Sequence, residues 1–401
     1  MKGNPSLSPL SCFSTVASFL IVPSAFVAFY ALCTIVYYLF LHPLQKYPGP
    51  KLWALSRLPF SYTWLSGIAY KKIFELHLQY GDLVRIAPNE LIFGYPESFN
   101  DVMGHRKRGQ EENGKDLDFW HGNDLTLVGS NHERHARIRK VLSHGFFAQA
   151  MMEQEPIFRR YVTLLINRPK TASASDPTQE MTAWYNWVTF DMIGDLAFGE
   201  LFGFLQETRY HPWVKLIFKN IQGIAMATAL SKFPLAILSP NVQIHHEFTE
   251  AQVAKRFSFK DPRPDFMEPM IKAREKSQTS HPEVLANAHN LIVGGSETTV
   301  TVLAGANYLL CPNQPSQCMM AVLHEALRLY PPVPSAIPHI PPIYGTTILF
   351  RQSLTIDIQT FLGIWPWPIF HNPDFFEDPE SFIPERWLGD PRFDGNQKTA
   401  L

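Results

Sequence analysis

Between Lys2 and Lys46 the sequence has no lysine, arginine, aspartate or glutamate. An uncharged run of that length is poorly suited to a solvated surface. Within it Phe19–Leu41 is almost wholly apolar and aromatic, long enough to cross a bilayer as a helix. No small-x-small cleavage site with a polar flank follows, which tells against a cleaved signal peptide. Only Lys2 precedes the run, while Lys46, Lys51 and Arg57 follow it, so the positive-inside bias puts the body in the cytosol. Pro23 would kink such a helix without forbidding it. Cysteine is scarce too. Cys12, Cys33, Cys311 and Cys318 are too few for a disulfide scaffold, and the last two have no histidine at zinc-like spacing. Neither sign of charge is in surplus, with 35 Lys+Arg against 36 Asp+Glu, so no nucleic-acid surface is indicated. No internal repeat is visible. What is plentiful is apolar residue, 46% of 401, enough to bury a substantial core.

Proline organises the rest. Pro43, Pro48, Pro50 and Pro59 crowd residues 42–60 and predict a stiff tether between an anchor at 1–41 and a body at 61–401. Alternation over Leu83–Phe93, between Gly81-Asp82 and Gly94, predicts a hairpin. Three-four apolar spacing predicts helices over His132–Leu142, Gln154–Ile166, Met181–Phe198, Pro212–Ala229 and Pro282–Leu310. Residues 169–178 and 257–269, rich in Ser, Thr, Asp and Pro, read as loops. Past Arg328, prolines 331, 332, 334, 338, 341 and 342 allow only extended chain and short strands. The fold class is mainly α with a minor β component.

Four segments carry candidate chemistry. Residues 291–299 read Leu-Ile-Val-Gly-Gly-Ser-Glu-Thr-Thr. Each glycine costs a helix about 1 kcal/mol against alanine, and an acid such as Glu297 is seldom buried without a partner. Either the helix opens here for a bound molecule, with Glu297 and Thr298 beside it as a proton path, or the glycines permit close packing and the threonines bond back to the preceding turn. Glu325 and Arg328 stand at i, i+3 and can pair. An exposed pair is the ordinary reading; the stop at Pro331-Pro332 makes a buried structural pair the alternative. His135 and Arg139, at i, i+4, make either a solvated basic face or a set of donors for a carboxylate. Phe-Ile-Pro-Glu-Arg-Trp (382–387) follows an Asn-Pro-Asp turn and says little alone.

Taken in order, these segments resemble the cytochrome P450 family, in a membrane-anchored fungal form of the kind found in secondary metabolism. The resemblance rests on His-Pro-Leu-Gln-Lys-Tyr-Pro-Gly-Pro-Lys (42–51), His-Ala-Arg-Ile-Arg-Lys-Val-Leu-Ser-His-Gly-Phe (135–146), Gly-Gly-Ser-Glu-Thr-Thr (294–299), Glu-Ala-Leu-Arg-Leu-Tyr-Pro-Pro-Val-Pro (325–334) and Phe-Ile-Pro-Glu-Arg-Trp (382–387), and spans the chain from residue 42. It implies a P450-like helical fold, a heme cofactor, an apolar small-molecule substrate and electrons from NADPH-cytochrome P450 reductase. It also implies a single-pass anchor in the endoplasmic reticulum membrane with the body cytosolic. By the same resemblance Gly294 and Gly295 would let the helix bulge over the heme, and Glu297 with Thr298 would supply protons as the catalytic pair. His135 and Arg139 would hold a heme propionate, and His339 stands where an arginine to the propionate is usual. Glu325, Arg328 and Arg386 would form a buried structural network.

Two departures from the family pattern follow. The proximal ligand is a cysteine in a Phe-x-x-Gly-x-Arg-x-Cys-x-Gly loop after the Pro-Glu-Arg segment. Here 14 residues follow Trp387 (401 − 387) and no cysteine follows Arg386, so no residue of this sequence is assigned as metal ligand. That predicts a fold incomplete at its C-terminus, weak heme affinity and no monooxygenation from the chain as written. In addition, only 26 positions separate Thr299 from Glu325 (325 − 299), too few for the further helices the family fits there. The expectation is a monooxygenase by descent. Its rivals are a truncated, inactive remnant and a membrane-anchored binder of apolar ligands.

Overall fold

Helix α1 runs Pro9–Val36, with Pro23 inside it, and passes into a π turn at Tyr37–Leu41. Pro23–Leu41 is long and apolar enough to cross a membrane, and none of it is buried against the body. The computed structural model describes residues 9–104, 111–120, 123–174, 178–200, 202–208, 222–223, 225–229, 240–259, 261–312, 318–342, 346–348, 354–356 and 360–398.

The proline-rich segment does not stand free as a tether. Leu44, Trp53 and Ala54 are buried, Arg85 N donates to Pro48 O at 2.8 Å, and His42 Nε2 lies 3.0 Å from Asn89 Oδ1. Proline keeps this backbone extended, but burial of the apolar side chains between the prolines draws it onto the sheet. Helices α2 (Lys51–Leu55), α3 (Leu58–Leu65) and α4 (Ala69–Tyr80) follow.

Strands β1 (Leu83–Ala87) and β2 (Glu90–Phe93) form the hairpin, closed by a two-residue turn. One five-stranded sheet, in the order β1-β2-β7 (Phe361–Ile364)-β4 (His339–Ile340)-β3 (Gly114–Lys115), joins both ends of the body. In it β2 pairs in parallel with β7, with Leu91 opposite Leu362. A parallel pair requires a crossover, and here most of the helices lie within it. Strand β4 pairs antiparallel with both β7 and β3. Strands β5 (Thr346–Ile348) and β6 (Leu354–Ile356) form a separate hairpin.

The crossover contains α5 (Ser98–Val102), α6 (His132–Ser143), α7 (Ala148–Ala172), α8 (Met181–Phe198), α9 (Phe204–Glu207), α10 (Pro240–Phe257), α11 (Glu268–Glu275), α12 (His281–Leu310) and α13 (Met319–Leu329). Helix α14 (Pro366–Phe370) follows β7. Two loop expectations hold in part and are corrected at one end each. Helix α7 carries on through Pro169 to Ala172, and Pro269 sits in the first turn of α11, where its missing N–H loses no helical bond. Of the helix expected over 212–229, only 222–223 and 225–229 lie within the described residues. Helix α12 lies along α8, burying Val284, Ala288 and Ile292 among Phe190, Ala197 and Phe198. That packing fixes the axis on which the candidate site is built.

Candidate active site

Helix α12 is held firmly at its start. Ser280 Oγ accepts from Glu283 N at 3.3 Å, and the Glu283 carboxylate accepts from Ser280 N at 2.8 Å. Arg134 and Arg137 of α6 both pair with that carboxylate, which, despite partial burial, is held below the usual range chiefly by the Arg137 hydrogen bond. These two arginines are therefore structural. Arg139, the one singled out by spacing, is exposed and makes no hydrogen bond or ion pair among the described residues. His135, one turn earlier, is partly buried.

At 294–295 the helix is regular, so the expected local opening is not present. The two glycines differ. A Cβ on Gly295 would lie 2.7 Å from Ile193 Cδ1, so this glycine serves close packing of α12 on α8. A Cβ on Gly294 would meet nothing within 4 Å, so the opposite face borders open space. Beside that space Glu297 Oε1 is buried with no hydrogen-bond partner, and burial raises its carboxyl above the usual range. Thr298 Oγ1 donates to Gly294 O.

His339 is buried in β4, directly across from Lys115 of β3. Burial lowers the histidine, and Lys115 lowers it further against a hydrogen bond to Ile337 O at 3.0 Å. Lys115 itself is brought down to about 8 by burial, and among the described residues its Nζ donates to Leu127 O alone, at 3.0 Å. Two desolvated basic groups face each other there, and among the described residues no carboxylate is bonded to either. Lys115 was not singled out from the sequence. Lying between Glu112 and Asp116 in a polar run, it reads as a solvated lysine.

The structure brings Glu325, Arg328 and Arg386 together, each 0% exposed. Glu325 Oε1 accepts from Arg328 Nη2 (2.8 Å), Arg386 Nε (3.0 Å) and Ile383 N (3.0 Å), while Oε2 accepts from Arg328 Nε (3.0 Å) and Trp387 Nε1 (2.9 Å). Burial pushes this carboxyl up, but the two guanidiniums and the backbone donor outweigh it and hold it below the usual range. Arg328 also reaches Phe370 O, Pro379 O and Ser381 O, so the cluster ties α13 to α14 and to the 379–387 segment.

The sequence model of the cytochrome P450 family matches residues 47–321 and 317–399. The chain belongs to the cytochrome P450 family. Its two matched pieces meet in and just after the short connector between α12 and α13. A trichothecene C-15 hydroxylase of Fusarium sporotrichioides is 37% identical over 93% of this chain and 83% of its own length. The monooxygenase astJ of Aspergillus oryzae is 34% identical (93% and 82%), and an averantin hydroxylase of Dothistroma septosporum is 32% identical (92% and 77%). By family this P450 is a heme monooxygenase, an oxidoreductase, among fungal enzymes of secondary metabolism. Nothing in the comparisons supports the inactive-remnant reading.

The described residues fit one half of a heme site. The bare face at Gly294, the unpartnered Glu297 carboxyl and the Lys115–His339 pair suit a flat, dianionic ligand that leaves room above it. The axial half is different. Cys311 lies 17 residues past Gly294 (311 − 294), about 25 Å along α12. Cys318 caps the start of α13 and Cys33 is exposed in α1, so the described thiols offer this face no axial thiolate.

Proposed function

We propose that this P450 oxidises an apolar secondary metabolite, by hydroxylation, with dioxygen and electrons from NADPH-cytochrome P450 reductase. Residues 1–41 anchor it in the endoplasmic reticulum membrane, residues 42–60 dock against the body, and residues 61–401 form that body on the cytosolic side. The observation that carries the reading is the unpartnered Glu297 carboxyl beside the open face of Gly294.

Heme, when bound, supplies the redox chemistry that places one oxygen atom of dioxygen on the substrate. The chain's own residues bind, space and protonate. Gly294 keeps the face clear. Glu297, its carboxyl raised above the usual range by burial, is the group that takes up a proton and passes it to a neighbouring oxygen. Thr298 Oγ1, its proton committed to Gly294 O, presents lone pairs that fix a water between the two. His135, Arg139, His339 and Lys115 serve as donors to the propionates, Arg139 being free to do so. Glu325, Arg328 and Arg386 hold the opposite flank and take no part in proton transfer.

Adding heme to the full-length protein, reducing it under carbon monoxide and recording the spectrum tests the assignment together with turnover on apolar substrates. The assignment predicts a heme Soret band and oxygenated product, and because the described thiols offer this face no axial thiolate, the reduced carbon monoxide band should lack the thiolate signature. Glu297→Gln should lower turnover by 10²–10⁴-fold, the usual worth of a general acid, with the melting temperature unchanged. A folded protein that gives neither band nor product overturns the assignment.

A further inference from the structure

At 100° per residue, Asn287, Asn290, Gly294 and Glu297 fall in one narrow sector of α12. Val284, Ala288, Ile292 and Gly295 occupy the side packed on α8. Asn287 is fully committed. Its Nδ2 donates to Leu125 O (3.1 Å) and Glu283 O (2.7 Å), and its Oδ1 accepts from Leu127 N (2.8 Å). This clamps residues 125–127 against α12 one turn before Asn290. Asn290 is different: its Nδ2 is buried and has no hydrogen-bond partner. Trp120 Nε1, five residues before the clamped segment, is likewise buried without an acceptor. A buried donor gives up its hydration, and native proteins almost always return a partner. An amide with none, one turn from a bare glycine that opens on empty space, is short of a partner a ligand can bring.

We infer that Asn290 orients the substrate by donating from Nδ2 to an oxygen acceptor on an otherwise apolar skeleton, so that the carbon to be oxidised lies over Gly294. The inference rests on the proposed function, since it takes that open face for the substrate pocket. Four residues of helix separate Asn290 from Gly294, so the acceptor oxygen and the reacting carbon stand about 6 Å apart along the axis, roughly the width of a ring. The substrate is then a cyclic molecule that already carries a carbonyl, hydroxyl or ether oxygen. An earlier oxygenation, or an oxygen-bearing building block, must supply it.

Calorimetric titration of the full-length protein with 2-decalone and with decalin tests this without any turnover. Wild type should bind the ketone about tenfold more tightly. Asn290→Leu should abolish the preference while leaving decalin affinity intact. Asn290→Asp, which keeps the shape and exchanges a donor for an acceptor, should favour 2-decalol over 2-decalone. Equal affinity of wild type for 2-decalone and decalin, or a preference that survives Asn290→Leu, overturns the role of Asn290 and leaves the pocket standing. Binding of neither probe to wild type overturns the pocket itself, and with it the proposed function.

Discussion

His77 sits in α4 with its ring against Gly94, where an added Cβ would come within 2.5 Å of Nδ1. Nδ1 donates to Gly81 O at 2.9 Å, which leaves Nε2 buried, unprotonated and without a partner. Burial lowers this histidine from 6.5 to about 4. Below pH 6.5 the unfolded chain takes up a proton that the folded one refuses, so stability is lost as pH falls from about 6.5 towards 4. The slope contributed approaches 1.4 kcal/mol per pH unit. Urea unfolding at pH 7 and pH 5 should show it, and His77→Leu should flatten the acid limb while losing about 1 kcal/mol at pH 7 with the Gly81 bond. Glu325 marks the opposite extreme, a buried charge with five donors. Glu325→Ala leaves two guanidiniums buried beside a void, which costs about 3–5 kcal/mol. Against a total of roughly 5–15 kcal/mol, a sharp loss of soluble protein and a lower urea midpoint are expected. Spacing before Pro331-Pro332 made the Glu325–Arg328 pair readable in the sequence. Arg386, 61 residues from Glu325, entered only through the family resemblance, because no local rule links residues so far apart. Lys115 and Asn290 were silent, since burial of a polar side chain is decided by what packs over it.

At the scale of elements, α12 was legible from end to end, because a 3.6-residue period over thirty residues outweighs two glycines. What periodicity could not assign was the reason for each glycine. Gly295 packs on Ile193 while Gly294 faces open space. The distinction has a measurable consequence. Gly294→Ala should raise helix stability by about 1 kcal/mol, seen as a higher melting temperature, and should weaken ligand binding by narrowing the open face. Gly295→Ala meets only the flexible end of Ile193 and should change binding little, whereas Gly295→Leu must displace that side chain and should destabilise by about 1–3 kcal/mol. A Gly294→Ala variant that binds ligands as well as wild type would place the pocket elsewhere. The hairpin was equally legible, because two residues join strands of matched alternation. The docking of residues 42–60 was not. Proline density reports backbone stiffness, and nothing in it reveals that Leu44 and Trp53 find a core to enter.

At the scale of the whole molecule, the N-terminal apolar helix and the body are coupled. Arg85 Nη1 donates to Tyr38 O at 3.1 Å and His42 meets Asn89, so the apolar helix leaves the sheet edge at a fixed place. Immediately after it, α2 and α3 expose Leu52, Leu58, Tyr62, Leu65 and Ile68, with Leu52 72% and Tyr62 71% accessible. Five large apolar side chains in seventeen residues (68 − 52 + 1) form a patch that a soluble face seldom carries. They follow closely on a helix apolar enough to span a bilayer, and exposed Lys46 and Lys51 just before them can meet anionic headgroups. With Pro23–Leu41 in a bilayer, as proposed, this patch would rest on lipid and let an apolar substrate approach without crossing water. Tyr62→Cys in the full chain, reconstituted in vesicles, should therefore react slowly with a water-soluble maleimide. Exposed Cys311, on the far end of α12, supplies the reference rate in the same sample. If position 62 labels as fast as Cys311, the body is held clear of the bilayer and the anchor acts as a simple leash.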